Sequence, residues 1–281
     1  EASMVDLQSM YRILTVFENR PLRLVFIGDW AQLAPVGIGL IYHKLVKSEA
    51  VPKVELTINF RSNTGIVDAA ENIKNGIIPE ANDSVQIIEY ESSEQLQELL
   101  QRQYYVNTYN DNEAHIIAAR LSTVSKSNTT LHHLLSKGRK IIRVAPQFRV
   151  GDKVIYKNND KDLGLVNGST GTVTGQIHDV MIVDFSIEGQ KELSEEQIQN
   201  DSKGIYMLQH AYAMTCHSSQ GSEFNVAIVV VEDFALVERS WLYTAVTRAK
   251  EKVVLLAQKG AIQNVLDRGF RFETISVGFD L

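Results

Sequence analysis

The 281-residue chain has one cysteine, Cys216, only five prolines, and no apolar run of bilayer-spanning length. A single thiol excludes an internal disulfide and a cysteine-based metal cluster, and it fits a reducing compartment. We therefore expect a folded, soluble, cytoplasmic protein with no membrane role. Positive charge is not in excess either: 28 Lys and Arg stand against 34 Asp and Glu, a net charge of -6. Any contact with nucleic acid is then expected to run through a local groove and not a generally basic surface. No Gly-x-x-x-x-Gly-Lys-Ser/Thr phosphate loop occurs anywhere. The chain opens on Glu1-Ala2-Ser3-Met4, without initiator methionine or signal-like pattern, and is read as an internal start.

Apolar periodicity supplies the architecture. Leu7, Met10, Tyr11, Leu14 and Phe17 recur at helical spacing across Val5 to Asn19, and the run Leu22 to Ile27 reads as a buried strand closed by Gly28-Asp29. A second short strand is expected over Val54 to Ile58, before a helix over Thr64 to Asn75. The pattern restarts with strand Val85 to Glu89, helix Ser93 to Tyr105, strand His115 to Ala118 and helix Val124 to Leu135. Between Pro146 and Lys203 short β-branched runs alternate with Gly, which reads as a small β-barrel insertion. After Gly204 come strands near Val226 to Val231 and Val253 to Ala257, with helices near Arg239 to Lys250 and Ala261 to Arg268. The expected class is α/β with parallel sheets. Its divisions are 1–80, a second domain from 81–145 with 204–281, and the insertion 146–203.

Several segments carry more polar chemistry than folding requires. The loop Gly28 to Val36 follows a strand, where open α/β sheets bind ligands, and Gln32 there can sense a terminal phosphate or a water. A plain polar turn explains that segment nearly as well. Arg61, in Asn59-Phe60-Arg61-Ser62, places a planar guanidinium where it can clasp a phosphate, unless it is an ordinary surface arginine. Thr215 to Phe224 packs hydroxyls, an amide, Gly221 and the carboxylate of Glu223 into ten residues before an apolar strand. His217 has no second His or carboxylate at ligand spacing, so no protein-held metal is expected there. Arg248, in Tyr243 to Lys250, can reach a phosphate as an arginine finger or simply pair on a helix surface. Lys153, Tyr156 and Lys157 could form a single-strand track, but exposed strand residues account for them equally well.

Read in order, these segments resemble the later motifs of superfamily 1 DNA helicases, specifically the RecD and Dda branch. Glu1-Ala2-Ser3 looks like the tail of the Asp-Glu-Ala-Ser Walker B motif. Gly28 to Val36 resembles the third motif, Leu56 to Ser62 the fourth, Thr215 to Phe224 the fifth and Tyr243 to Lys250 the sixth. Phe148 to Val154, with Asn158-Asn159 and Asn167-Gly168, is similar to the barrel insertion of RecD-like enzymes.

The resemblance implies two RecA-like domains, the first incomplete, and a Src-homology-3-like barrel. It implies an ATP-dependent DNA helicase that moves on single-stranded DNA, 5′ to 3′, with replication or recombination proteins as further partners. Glu1 becomes the general base for the attacking water, Gln32 the γ-phosphate sensor, and Arg61 and Arg248 the arginines supplied to ATP. Gly221 and Glu223 are placed beside the nucleotide, and Thr215 and His217 toward single-stranded DNA. Three departures stand out: the Asp that holds Mg²⁺ before Glu1 and the phosphate loop are absent, and Ser218 stands where the fifth motif commonly has Lys. The chain by itself is therefore expected not to turn over ATP. A non-catalytic module that grips single strands or a partner protein is the alternative. A subunit of a RecD-type nuclease complex is a third reading that alters partners and not chemistry.

Overall fold

The computed structural model describes residues 1–18, 20–56, 62–109, 113–199 and 206–275. Its helices are α1 (Leu7–Val16), α2 (Ile41–Lys47), α3 (Thr64–Lys74), α4 (Ser93–Thr108), α5 (Leu121–Leu135), α6 (Glu195–Ile198), α7 (Arg239–Val246) and α8 (Ala261–Asp267). Its strands are β1 (Val85–Tyr90), β2 (Ala114–Ala118), β3 (Lys153–Tyr156), β4 (Thr170–Ile177), β5 (Val180–Phe185), β6 (Gly189–Leu193), β7 (Leu208–His210), β8 (Ala213–Thr215), β9 (Phe224–Val231) and β10 (Ala249–Gln258). The chain divides into two compact units, Glu1–Leu96 with Gln220–Leu281, and Gln97–Ser219. Among the described residues no helix is long and apolar enough to cross a membrane.

In the first unit β1, β10 and β9 lie side by side, all parallel. The sequence of β9, Phe-Asn-Val-Ala-Ile-Val-Val-Val, explains its place. A strand covered on both faces needs a continuous apolar run, and Ala227 to Val231 are fully buried. The β9–α7–β10 segment is a parallel β-α-β crossover, and α3 packs against both α7 and β10. Glu238 caps the amino end of α7 by accepting from the Ser240 amide (3.2 Å), and the Arg271 amide donates to the same carboxylate (3.2 Å). A small aromatic cluster of Trp30, Phe270 and Phe272 with Ala31 and Leu40 completes the packing near residue 30.

Two expectations need correction here. Leu22 to Ile27 is not a strand: it carries no sheet pairing among the described residues, and Val25 and Ile27 are each 77% exposed. A parallel strand exists only through its neighbours' hydrogen bonds, so an apolar run without a partner stays unassigned. The described part of Val54 to Ile58 is likewise unpaired, while Thr57 and Ile58 lie outside the described residues. α1 forms, capped by Asp6 on the Ser9 amide (2.7 Å), yet it buries none of its residues.

In the second unit β2 and β8 pair in parallel, and α5 packs on both. Asn128 of α5 satisfies the backbone of β8 directly: its carboxamide donates to the Ala213 carbonyl (2.9 Å) and accepts from the Ala213 amide (2.8 Å). The remaining strands form an antiparallel sheet in the order β6-β5-β4-β3-β7. Phe148, Val154, Tyr156, Val173, Val183 and Phe185 fill its core with other apolar side chains. The fifth strand, β7, comes from beyond residue 203.

His115 on β2 is 3% exposed, and burial, with Lys153 contributing less, pushes its imidazole down to about 3. The unfolded chain binds that proton below about pH 6.5 and the native chain does not, so stability is complete above pH 6.5 and falls toward pH 3. Between pH 7 and pH 5 the loss is expected to be about 2 kcal/mol at the limiting slope of roughly 1.4 kcal/mol per pH unit. Urea unfolding at the two pH values checks this, and His115→Gln should flatten the difference. Equal stability at both would contradict a neutral buried imidazole.

Candidate functional site

Within the first unit, segments far apart in sequence converge around Asp29. Glu1 is exposed and leads into a 3-10 turn, Ala2–Met4, whose first amide donates to the Ile27 carbonyl (2.9 Å). A Cβ at Gly28 would stand 3.1 Å from the amide nitrogens of Ala2 and Ser3 and from the Tyr42 ring, so a larger residue would push the two segments apart by a few tenths of an ångström. The Asp29 carboxylate accepts from the Ala31 amide (3.0 Å), the Tyr243 hydroxyl (2.8 Å) and Gln32 Nε2 (3.4 Å). Leu33 donates its amide to Thr244 Oγ1 (2.9 Å). The loop after residue 28 is thus tied at two points to α7, with Gln32 half-buried between them.

Arg248 is 2% exposed. Its Nε donates to the Thr244 carbonyl (3.1 Å) and its Nη1 reaches the Ser222 carbonyl (3.5 Å). The expected helix to Lys250 instead stops at Val246, because the Arg248 carbonyl accepts from the Phe224 amide (2.9 Å) and Ala249 enters the sheet opposite Phe224. Sheet pairing outcompetes the helical propensity of this stretch. Arg61 lies outside the described residues. Its neighbours do not: Ser62 Oγ donates to the Ala249 carbonyl (2.9 Å) and the Asn63 amide to the Lys250 carbonyl (2.8 Å). Those bonds register the backbone after Arg61 against the backbone after Arg248.

Gly221 has φ 78°, the left-handed region, with open space where a side chain would start; conformation and not crowding calls for glycine. Glu223 pairs with Lys250 at 3.3 Å. In the second unit Thr215 ends β8 and accepts the Ser218 amide at its hydroxyl (3.1 Å), closing a turn that leaves His217 exposed and Cys216 buried.

Sequence reading weighed Lys157 with Lys153 and Tyr156 for a single-strand track but did not join it to this turn. Lys157 Nζ donates to Ser218 Oγ (3.0 Å), so an ammonium from the loop after β3 arrives at the position where the fifth motif lacks its lysine. Burial holds Lys157 below the usual lysine value. The two residues are 61 apart in the chain, and no spacing rule could join them. Tyr156 is a core residue, 1% exposed, and cannot stack on a base; Lys153 pairs with Glu113 at 3.3 Å.

Residues 210–256 match the UvrD-like helicase C-terminal domain family, and residues 1–97 match an AAA domain family. The chain is 27% identical over 241 residues to the ATP-dependent RecD2 DNA helicase of Deinococcus radiodurans, covering 82% of this chain and 32% of that protein. It is 24% identical to the RecBCD enzyme subunit RecD of Mycolicibacterium smegmatis, covering 95% of this chain and 51% of that one. The chain thus spans a third to a half of the length of these curated relatives. Its fold is like that of the Bacteroides Pif1 helicase in complex with ADP-AlF3 and single-stranded DNA, with TM-score 0.58, 21% identity, and 91% of this chain and 68% of that chain covered. The Candida albicans Pif1 helicase gives TM-score 0.59 at 18% identity, covering 97% of this chain and 73% of that one. In the order of its segments and in its parallel-sheet α/β core, this chain is similar to the RecD-like helicases of superfamily 1.

Proposed function

We propose that this chain forms part of an ATP-dependent DNA helicase that couples hydrolysis to movement along single-stranded DNA, 5′ to 3′, and to duplex unwinding. The observation that carries it is the pair of bonds from the Tyr243 hydroxyl to Asp29 and from the Leu33 amide to Thr244 Oγ1. They join the loop bearing the proposed γ-phosphate sensor, Gln32, to the helix that leads into the proposed finger, Arg248. A nucleotide-dependent shift of one segment would be felt by the other, which is what a motor requires.

In this reading residues 1–80 belong to the first motor domain, 81–145 with 204–281 to the second, and 146–203 form a Src-homology-3-like insertion. Glu1 orients the attacking water, Arg61 and Arg248 offset charge on the transferred phosphoryl group, and Gly221 and Glu223 lie beside the nucleotide. The arginine and amide donors suit the γ-phosphate end of ATP. The Mg²⁺ ligand and the phosphate loop are not among these residues, and the chain alone is expected to be silent as an ATPase. ATP hydrolysis by the intact protein, with and without single-stranded DNA, tests the reading.

Thr215, His217 and Lys157, the last brought to their turn by its bond to Ser218, form the proposed single-strand contact. Lys157→Ala is expected to weaken single-stranded DNA binding by about 5- to 10-fold and to reduce the salt slope by about 0.7, the share of one phosphate contact. Affinity measured across a salt series reads both quantities. An unchanged slope would remove Lys157 from the DNA track.

A further inference from the structure

Away from the nucleotide and DNA residues, a carboxylate and two imidazoles meet inside the second unit. Asp152, just before β3, is 0% exposed. Its Oδ2 lies 3.2 Å from His132 Nδ1 on α5 and 3.2 Å from His210 Nε2 at the end of β7. The three ligand atoms all fall within 4.8 Å of one another. We propose that His132, Asp152 and His210 bind a divalent transition-metal ion, with zinc the best match to two imidazoles and one carboxylate.

Four features point that way. Zinc bonds of about 2.0–2.1 Å in a tetrahedron put neighbouring ligand atoms about 3.4 Å apart, close to the two nitrogen-to-oxygen separations seen here. His132 Nδ1 is buried and faces Asp152 Oδ2 at 3.2 Å outside hydrogen-bond geometry, while His210 Nε2 makes a hydrogen bond to the same oxygen that an ion would replace. The other carboxylate oxygen is already oriented from outside: Oδ1 accepts the Tyr212 hydroxyl (2.8 Å), the kind of supporting bond that fixes a metal-ligating carboxylate. Finally, the side chains of His132 and His210 are 20% and 21% exposed, which leaves a path for an ion to a carboxylate that has none of its own.

Two guanidiniums oppose a bound cation, that of Arg149 acting on His132 and that of Arg139 on the carboxylate. Arg139 Nη1 approaches Oδ1 at 3.8 Å, the oxygen the imidazoles do not share, and is held there by the Gly151 carbonyl (3.1 Å). The Arg149 amide donates to Oδ2 (2.7 Å), which leaves lone-pair capacity for an ion. Three protein ligands leave a fourth position for water. An ion here would clamp α5 to the neighbouring strands β3 and β7 of the antiparallel sheet.

The test uses the full chain, stripped with EDTA and titrated with Zn²⁺ by calorimetry, with metal content counted after gel filtration. One ion per chain is expected, with a dissociation constant on the order of 1 μM or tighter. His132→Ala and His210→Ala should each weaken it by more than about 100-fold while far-ultraviolet circular dichroism stays unchanged. Should either variant lose its fold, His132→Gln and the visible absorption of the wild-type Co²⁺ form decide: nitrogen and oxygen ligands in a four-coordinate site give strong d–d bands. Zinc uptake equal in wild type and a variant carrying both His132→Ala and His210→Ala, or a Co²⁺ spectrum of the aquo ion, would overturn the site and leave a hydrogen-bond hub around Asp152.

Discussion

Replacing Arg248 by alanine in the intact protein is expected to lower kcat for ATP hydrolysis by about 10³- to 10⁵-fold while nucleotide binding persists. A finger acts on charge that develops in the transition state, so its loss appears in turnover and not in affinity. The structure also gives Arg248 a local task, since its guanidinium bonds the carbonyls of Thr244 and Ser222. A merely structural arginine would lower stability and nucleotide affinity together with turnover. Arg248→Lys separates the two roles, because it keeps the charge and loses the planar fork; it is expected to stay more than about 100-fold below wild type. Near-normal turnover in either variant would remove Arg248 from the chemistry.

Asp152→Ala is expected to destabilise the unit Gln97–Ser219 by about 3–5 kcal/mol, measured by urea unfolding in the presence of EDTA. The carboxylate is fully buried and receives the Tyr212 hydroxyl, the Arg149 amide and His210, so its removal strands several donors at once. Burial pushes this carboxyl up, but the bonds from His210, Tyr212 and the Arg149 amide outweigh it and hold it below the usual carboxylate value. Its contribution is therefore present above about pH 4 and lost as pH falls through the lower folded value. A loss under about 1 kcal/mol would show that the hub is dispensable.

How far the sequence was legible follows from which interactions are local. The β9 and β10 runs, α3, α5 and α8 could be read because burial on both faces, or on one helical stripe, imposes a period that composition displays. Leu22 to Ile27 carries the same apolar signal but has no partner among the described residues, and a strand's existence depends on a partner that its own sequence does not encode. The end of α7 was misread by four residues because sheet capture of Ala249 opposite Phe224 is a tertiary event. The insertion shows the same limit. Composition shifts near Pro146 and Lys203, yet β3 pairs with β7, so cutting out 146–203 would orphan Leu208 to His210 and delete Asp152.

The candidate site divides in the same way. Gln32, Gly221, Glu223, Thr215 and Arg248 could be singled out as candidates because each sits in a contiguous motif-like pattern. Lys157 beside Ser218, and the meeting of His132, Asp152 and His210, are unions of residues from separate elements; no linear spacing marks them. Arg61 lies outside the described residues, and only Ser62 and Asn63 after it are seen to bond the residues after Arg248.

The central claim is that these segments are parts of a DNA-dependent ATP motor, and steady-state ATP hydrolysis by the intact protein, with and without single-stranded DNA, tests it most directly. The account predicts turnover that rises at least about tenfold with single-stranded DNA, as ordering the strand completes the catalytic arrangement, and no turnover from residues 1–281 alone. An intact protein that binds single strands but neither binds nor hydrolyses ATP would contradict it and establish a binding module in its place.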